Sequence, residues 1–406
     1  MLRRQFLAAP LFAQSGPNPR PLTRGPKHHF FGYYGISPWN RSLKKLVCLE
    51  SDFQDHLPRP EESAGIVVVD TATGKAERVT ETRAWNFQQG AMLHWNPLKP
   101  ETEILFNERD GDRIISAAYD FSTRKRRTLP RAINGVSHNG RYAVCLTYGR
   151  LTRLRPVVGY VGAVDPNPTV DHPDNDGVFL MDLETGKSKL VVSIRQIYER
   201  LVPRHPELKT RAMWFNHTVF NKNDTRFFFL ARCWEPLPNG GKRLESAMFT
   251  SDLEGRDIRE VVPFGKGVSH FEWRNSHEIM ATFRVDGKVR HVLFTDGQSD
   301  YRVIGAEFLE GDGHCSFARD SNWLVTDRNV PITLEKRLFV YELGAQKGRE
   351  LARFPMFEER FLGGDLRCDL HPRWRADMRQ ICVDAFDVRD RTRQVHIVDV
   401  TDSGNR

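Results

Sequence analysis

The chain lacks several features that would assign it to common protein classes. No apolar run approaches the ~20 residues that a membrane-spanning helix needs, so we expect no membrane span. No Pro-rich linker or low-complexity stretch divides the 406 residues, which favours one domain over residues 17–406. Long amphipathic helices are almost absent, and residues 192–201 are the clearest exception.

Motifs of nucleic-acid-binding proteins are also missing. The chain has 60 Lys and Arg residues against 52 Asp and Glu residues, a net charge of +8 and a pI near 9.2. The basic residues form no tract, and no zinc-finger, helix-turn-helix or RNA-binding motif is present. We therefore expect an anionic partner other than nucleic acid, and an acidic oligosaccharide or polysaccharide fits this charge.

Cysteine pairs with metal-ligand spacing are absent as well. The six cysteines are widely spaced, and their even number permits disulfides without indicating them. Cys48, Cys145 and Cys382 lie in apolar runs, where a free cysteine packs as a small hydrophobic residue. Cys315 and Cys368 lie beside candidate site histidines, so they are interpreted either as buried thiols or as ligands.

What the chain does contain is a repeated strand ending. Seven times an acidic residue follows an apolar run, usually with turn residues behind it; these acids are Asp70, Asp120, Asp182, Asp252, Asp296, Glu342 and Asp399. Between successive acids lie three or four short strand-like runs. Units of about 40 to 50 residues with four strands each are typical of propeller blades. The sequence therefore predicts an all-β fold, a seven-bladed β-propeller, and we expect a monomer.

Four histidines occupy the same position in four successive repeats. His217, His270, His314 and His371 each precede an aromatic residue by three positions. Equivalent positions of a propeller converge at one channel mouth, so we expect the four imidazoles to face a common space. Asp369 lies two residues before His371, on the same side of a strand. Imidazoles with one carboxylate suit Mn²⁺, Zn²⁺ or Fe²⁺ better than Ca²⁺.

Other residues near the expected blade starts are suited to binding a sugar. Aromatic faces stack on pyranose rings, polar groups contact hydroxyls, and an arginine can clamp a carboxylate. The candidates for substrate binding are His29, Tyr33, Gln89 and Arg243.

The first residues resemble a bacterial export signal. A twin-arginine pair, Arg3 and Arg4, precedes a short apolar stretch over residues 6–13 and then a polar segment. We expect residues 1–16 to be cleaved and the protein to be periplasmic or secreted. The alternative is a cytoplasmic protein with a basic N-terminus.

Three short stretches, residues 269–273, 313–317 and 369–372, resemble the oligogalacturonate lyase family. The resemblance implies a seven-bladed propeller that cleaves short uronate oligosaccharides by β-elimination with Mn²⁺. It implies metal ligation by His270 and His371, with Asp369 in place of a second family histidine; Ca²⁺ and Zn²⁺ are alternative ions. The family's glutamine position reads Leu366 and its catalytic arginine falls on Ala247, so the chain is similar to the family as a divergent relative.

Such a lyase must neutralise the uronate carboxylate and provide a base for the C5 proton. The catalytic candidates are His217, His314, Tyr34 and Arg232. We predict an exported carbohydrate-active enzyme, a carbon–oxygen lyase that acts on uronate-containing oligosaccharides. Two alternatives are a glycoside hydrolase acting on uronate- or rhamnose-containing glycans and a non-catalytic, TolB-like binding propeller.

Overall fold

The computed structural model describes residues 19–400, and strands form most of its regular structure. Seven four-stranded antiparallel sheets form the blades of a ring, which confirms the predicted seven-bladed β-propeller. Within blades 1 to 6 the strands follow chain order from the channel outwards. Each blade therefore brings the start of its first strand to the same end of the channel.

The twenty-eight strands of residues 19–400 are numbered in chain order. Strand β1 Arg20–Pro21 precedes the first blade. Blades 1 to 3 contain β2 His28–Phe30, β3 Lys45–Ser51, β4 Ala64–Asp70, β5 Ala76–Thr82, β6 His94–Trp95, β7 Glu103–Asp110, β8 Arg113–Asp120, β9 Lys125–Leu129, β10 Ile133–Val136, β11 Tyr142–Cys145, β12 Gly177–Asp182 and β13 Ser188–Ser193. Blades 4 to 7 contain β14 Trp214–Phe220, β15 Arg226–Pro236, β16 Lys242–Asp252, β17 Arg259–Val262, β18 Phe271–Trp273, β19 Glu278–Val285, β20 Lys288–Thr295, β21 Tyr301–Ile304, β22 Ser316–Phe317, β23 Trp323–Val330, β24 Glu335–Glu342, β25 Lys347–Pro355, β26 Arg373–Trp374, β27 Gln380–Phe386 and β28 Arg393–Asp399.

The ring is closed by the two ends of the described chain. Strand β1 pairs with β28, with Arg20 opposite Ile397 and Pro21 opposite His396. Blade 7 therefore takes its outermost strand from the N-terminal side and its other three strands from the C-terminal side. The two ends of the described chain thus share one sheet, which closes the ring.

The repeated acids end the third strand of each blade or directly follow it. Their side chains explain this position, because an aspartate can accept hydrogen bonds from the backbone of the turn that follows. Asp70 Oδ1 accepts the N–H groups of Ala72 and Thr73 at 3.1 and 2.8 Å. Asp182 Oδ1 does the same for Glu184 and Thr185. The acids therefore end strands locally, as their spacing in the sequence predicts.

Three short α-helices interrupt the strands: α1 Tyr148–Leu154, α2 Ile194–Leu201 and α3 Glu359–Leu362. The predicted helix over residues 192–201 is α2, which begins at Ile194 because Ser193 is its N-cap and forms a capping box with Gln196. It lies between blades 3 and 4. Helix α1 is inserted between β11 and β12, and the sequence did not predict it.

The core lies between neighbouring blades and is rich in aromatic side chains. Trp85, Trp214 and Trp273 are among its fully buried residues. All six cysteines are buried and free, which agrees with the buried-thiol interpretation. Among the described residues no helix is long and apolar enough to cross a membrane. The expected export signal, residues 1–16, lies outside the described residues.

Candidate functional site

The structure brings the four histidines that occupy equivalent repeat positions together around one aromatic ring. The Tyr34 ring centroid lies 5.1 Å from that of His217, 6.0 Å from His270, 5.8 Å from His314 and 5.9 Å from His371. The imidazoles also approach each other, with centroids 4.0 Å apart for His270 and His314 and 4.5 Å apart for His314 and His371. Residues more than 150 positions apart in the chain thus share one site.

Local backbone geometry turns two of these histidines towards the centre. His217 and His371 have φ values of 59° and 41°, in a region that non-glycine residues rarely adopt. At His217 the register of β14 with β15 shifts between Asn216 and Val219, which is a β-bulge. Such bulges re-aim side chains next to functional sites.

A glycine and a buried acid support the segment that carries Tyr34. A Cβ atom on Gly32 would lie 2.4 Å from His371 Nδ1, so only glycine leaves room for this imidazole. Asp384 accepts the backbone N–H groups of Phe31 and Gly32 at 3.0 and 2.8 Å, and Arg393 donates to it at 3.2 Å. Burial raises the pKa of Asp384 to about 6.

Three donors lie close enough to hold one metal ion. His314, Asp369 and His371 are buried, and one ligand atom of each lies within 4.8 Å of the others. His314 Nε2 is 3.6 Å from Asp369 Oδ2. The Nδ1 atom of His371 is buried and has no hydrogen-bond partner among the described residues.

Carboxylates orient two of the imidazoles from behind. His314 Nδ1 lies 2.9 Å from Asp327 Oδ2, and His270 Nδ1 hydrogen-bonds Asp312. Holding Nδ1 fixes the tautomer and leaves Nε2 free, an arrangement typical of metal-ligating histidines. The assignment of protons follows from these partners.

The charges of the cluster suit a cation. Burial opposes ionisation of Asp369, but the charges of Lys336 and Arg367 outweigh it and hold the pKa of Asp369 well below its usual value. Both cations donate to Asp369 at 2.8 Å, and each carboxylate oxygen keeps a second lone pair for a metal. Two imidazoles and a carboxylate are therefore a donor set that fits a divalent ion.

The histidines differ in their tendency to carry a proton. Burial lowers the pKa of His314 despite the charge of Asp327, and burial together with the charge of His314 holds the pKa of His371 well below its usual value. Burial also acts on His270, but the carboxylate of Asp312 outweighs it and raises the pKa of His270. His314 and His371 are thus neutral at neutral pH, as metal ligands must be.

A second group of polar side chains lies beside the histidine cluster. Arg232 Nη1 donates to His217 Nε2 at 3.1 Å, so His217 carries its proton on Nδ1 and donates it to the Tyr33 hydroxyl. Gln89 Nε2 donates to the same hydroxyl at 2.9 Å, while its Oε1 accepts from Tyr148. The Tyr33 oxygen accepts two hydrogen bonds, which leaves its own hydrogen free for another acceptor.

Burial governs the protonation states of this second group. It raises the pKa of Tyr33, lowers the pKa of Arg232 to about 9, and, with the charges of Arg232 and Arg155, holds the pKa of His217 well below its usual value. At neutral pH the group therefore contains a protonated tyrosine, a cationic arginine and a neutral histidine. In these states the tyrosine can donate a proton, the arginine can bind an anion and the histidine can accept a proton.

Two candidate residues from the sequence lie elsewhere. His29 is buried against Gln394 and Glu50, at 3.0 and 3.4 Å. Arg243 has a side chain 57% exposed and forms ion pairs with Glu235 and Glu245. The structure does not place either residue among the contacts of the four histidines.

Several residues of the site were not recognised from the sequence. Asp312, Asp327, Lys336, Arg367 and Tyr148 all contact site residues. One signal was available, because Asp312 precedes His314 by two residues just as Asp369 precedes His371. The sequence gives no comparable signal for Asp327 and Lys336, because they lie on the second and third strands of blade 6, away from the histidine positions in the chain.

The cluster opens into a cavity of about 680 Å³, whose lining includes His270, His314, Arg367 and Asp369. A cavity of this size is within the range that holds a small ligand.

Comparison with known proteins identifies the fold but assigns the chain to no sequence family. No protein-family model and no curated protein matches the chain. A solved oligogalacturonate lyase in complex with manganese is similar, with a TM-score of 0.67, 16% identity and coverage of 96% of this chain and 95% of that one. An oligogalacturonate lyase from Vibrio parahaemolyticus has a TM-score of 0.63 at 13% identity and covers 95% and 94%.

Other propellers are less similar. A puromycin-hydrolysing peptidase from Mycobacterium tuberculosis has a TM-score of 0.53 at 12% identity, and the match covers 91% of this chain and 55% of that one. At these identities the likeness establishes the fold alone. The resemblance to the oligogalacturonate lyases is thus confirmed at the level of the architecture.

Proposed function

We propose that this protein is a lyase that cleaves uronate-containing oligosaccharides by metal-assisted β-elimination. The observation that carries the proposal is the cluster of His314, Asp369 and His371, with His270 beside it. His270, His314 and Asp369 line the open cavity next to this cluster. The likeness to lyase propellers supports it at the level of the fold.

His314, Asp369 and His371 would hold the metal, with His270 adjacent; Mn²⁺ is the first candidate, and Zn²⁺ and Ca²⁺ are alternatives. A bound divalent cation supplies charge that neutralises the uronate carboxylate and makes the C5 proton more acidic. Asp312 and Asp327 keep two imidazoles in the required tautomer.

His217 and Tyr33 are the residues proposed to move protons. His217 is neutral at neutral pH, and its Nε2 lone pair becomes available to the C5 proton when Arg232 turns to an anionic substrate. Tyr33 stays protonated and donates its free hydrogen to the leaving glycosidic oxygen. The resulting phenolate would be stabilised by the N–H groups of His217 and Gln89.

The arginine that the resemblance places at position 247 has a substitute nearby. Ala247 is fully buried in the hydrophobic core, whereas Arg232 lies opposite its neighbour Ser246 across the β15–β16 pair. Arg232 donates to Ser246 Oγ at 3.0 Å and reaches His217. Tyr34 forms the centre of the site between the histidines.

A hydrolase mechanism has less support in this site. Most glycoside hydrolases need one carboxyl group that stays protonated to act as the acid. Here neighbouring cations or histidines outweigh burial and lower the pKa of all three cluster acids, Asp312, Asp327 and Asp369. None of the three is therefore suited to donate a proton at neutral pH.

The test is product analysis with a panel of uronate oligosaccharides and added Mn²⁺, Zn²⁺ or Ca²⁺. We expect unsaturated products, detected by ultraviolet absorbance, from the wild type but not from the His314→Ala/His371→Ala variant. His277→Ala, which changes an exposed turn histidine, is the matched control. New reducing ends without unsaturation would replace the lyase by a hydrolase, and tight binding without products would indicate a binding propeller.

A further inference from the structure

Two arginines near the histidine cluster have no acidic partner within the described part of the chain. Arg232 is 6% exposed, and among residues 19–400 it donates only to the neutral groups Ser246 Oγ and His217 Nε2. Arg155 is half-buried, and its Nε atom is buried without a hydrogen-bond partner among the described residues. Neither forms an ion pair within residues 19–400, although 41 such contacts exist there, most of them made by arginine or lysine. The other buried arginine and lysine side chains of residues 19–400 all form ion pairs, so Arg232 is an exception among the buried cations; those others are Arg150, Lys336, Arg373 and Arg393.

The two guanidinium groups lie on one side of blade 4. Arg232 and Trp234 are two residues apart on β15, so their side chains point to the same side of the strand. Arg155 lies over the Trp234 ring, with its Cζ 5.4 Å from the ring centroid. Trp234 Nε1 also donates to the Leu154 carbonyl at 2.7 Å, which ties the insertion that carries Arg155 to β15.

A third cation connects this pair to the metal donors. Arg367 donates to Asp369 at 2.8 Å. Burial lowers the pKa of both Arg155 and Arg232, and the positive charge of Arg367 lowers each further. The charge of Asp365 acts in the opposite direction on the pKa of Arg155, but Asp365 forms no ion pair with Arg155 in the described structure. Positive charge is therefore in excess on the side of the site that faces Tyr33 and His217.

Burying a cation without a partner costs free energy, and proteins keep such groups where a ligand supplies the opposite charge. We propose that Arg155 and Arg232 form a carboxylate-binding site for one uronate residue of the substrate, beside the metal donors. The inference rests on the proposed function for the identity of the ligand, but binding to the site requires no turnover.

The planar shape of the guanidinium group suits a carboxylate. A planar guanidinium matches a planar carboxylate with two parallel hydrogen bonds. Neither guanidinium has an ion-pair partner within residues 19–400, so both can donate to the two oxygens of one carboxylate. When the carboxylate draws the Arg232 N–H away, the lone pair of His217 is released, so that binding prepares the base.

The test is calorimetric titration of the full chain, with and without a chelator, using galacturonate, galactose and inorganic sulfate as separate probes. We expect galacturonate to bind and its affinity to fall by at least about tenfold in Arg155→Ala, since a charge-assisted hydrogen bond is lost. Arg155→Lys should recover part of that loss, because lysine keeps the positive charge but cannot donate the two parallel hydrogen bonds of a guanidinium. Arg113→Ala is the matched control, since Arg113 is exposed and pairs with Asp110.

Three results would overturn the site: no binding of galacturonate to the wild type, equal binding to Arg155→Ala, or binding of sulfate as tight as that of galacturonate. The experiments distinguish failure of the site from failure of the proposed function. If galacturonate binding depends on Arg155 but no unsaturated products form, the lyase activity is excluded and the binding site is supported. If Arg155→Ala forms unsaturated products as well as the wild type does, the binding site is excluded and the lyase activity is supported.

Discussion

At the scale of single residues, Asp327 decides how His314 presents its free nitrogen. The carboxylate holds both the backbone N–H and Nδ1 of His314, at 2.8 and 2.9 Å. We predict that Asp327→Asn lowers metal affinity by about 10–100-fold, because residues that orient metal ligands contribute on that order. Competition with a metal-binding dye measures it. Asp320→Asn, an exposed acid of the same blade, should bind metal as the wild type does; equal affinities in the two variants would argue against the metal centre.

The protonation of His217 leads to a second prediction at this scale. Burial and the charges of Arg232 and Arg155 hold the pKa of His217 well below the ordinary 6.5. A base works when unprotonated, so kcat/KM should stay constant as the pH falls through 6.5 and decline only at lower pH. Removing a cation with Arg232→Gln should raise that pKa and move the decline to higher pH. A wild-type decline centred near 6.5 would mean that another group is the base.

At the scale of elements, the segment between β2 and β3 supports the site. Gly32 leaves no room for a side chain, because a Cβ there would lie 2.4 Å from His371 Nδ1 and 2.7 Å from Asp384 Oδ2. We predict that Gly32→Ala lowers the free energy of unfolding by about 1–3 kcal/mol, as over-packed positions do, and also reduces metal binding. Urea unfolding and metal analysis test both effects.

The control for Gly32 is Gly363, where an added Cβ would meet no atom within 4 Å. Gly363→Ala should unfold like the wild type and bind metal equally well. If Gly32→Ala behaved in the same way, the close packing of the segment against His371 would be wrong.

At the scale of the whole molecule, stability depends on the closure between β1 and β28. A chain that begins at Thr23 lacks β1 and Leu22, which is 4% exposed and donates its backbone N–H to Val395 at 2.7 Å. We predict a loss of about 2–5 kcal/mol in the free energy of unfolding, since a buried leucine and the outermost strand of blade 7 are removed. A chain that begins at Pro19 keeps β1 and should match the full chain. Equal unfolding midpoints for the two truncated chains would contradict a stabilising closure.

The sequence by itself determined the architecture, because its signals are local. Asp70 and Asp182 end strands by binding the N–H groups two and three residues ahead, and Ser193 starts α2 through Gln196. Interactions of such short range leave a mark in residue spacing, and seven repeats of one spacing predict seven blades. The register of the four histidines depends on the same repeat, so their convergence on one mouth was open to prediction as well.

Only the tertiary structure decided how the converging side chains are paired. It placed Asp327 behind His314, Lys336 and Arg367 on Asp369, and Arg155 over Trp234, while Arg243 points to solvent. These contacts join residues on different strands and blades, and a repeat does not encode them. They depend on side-chain direction and on bulges such as the one at His217, which packing across the channel selects.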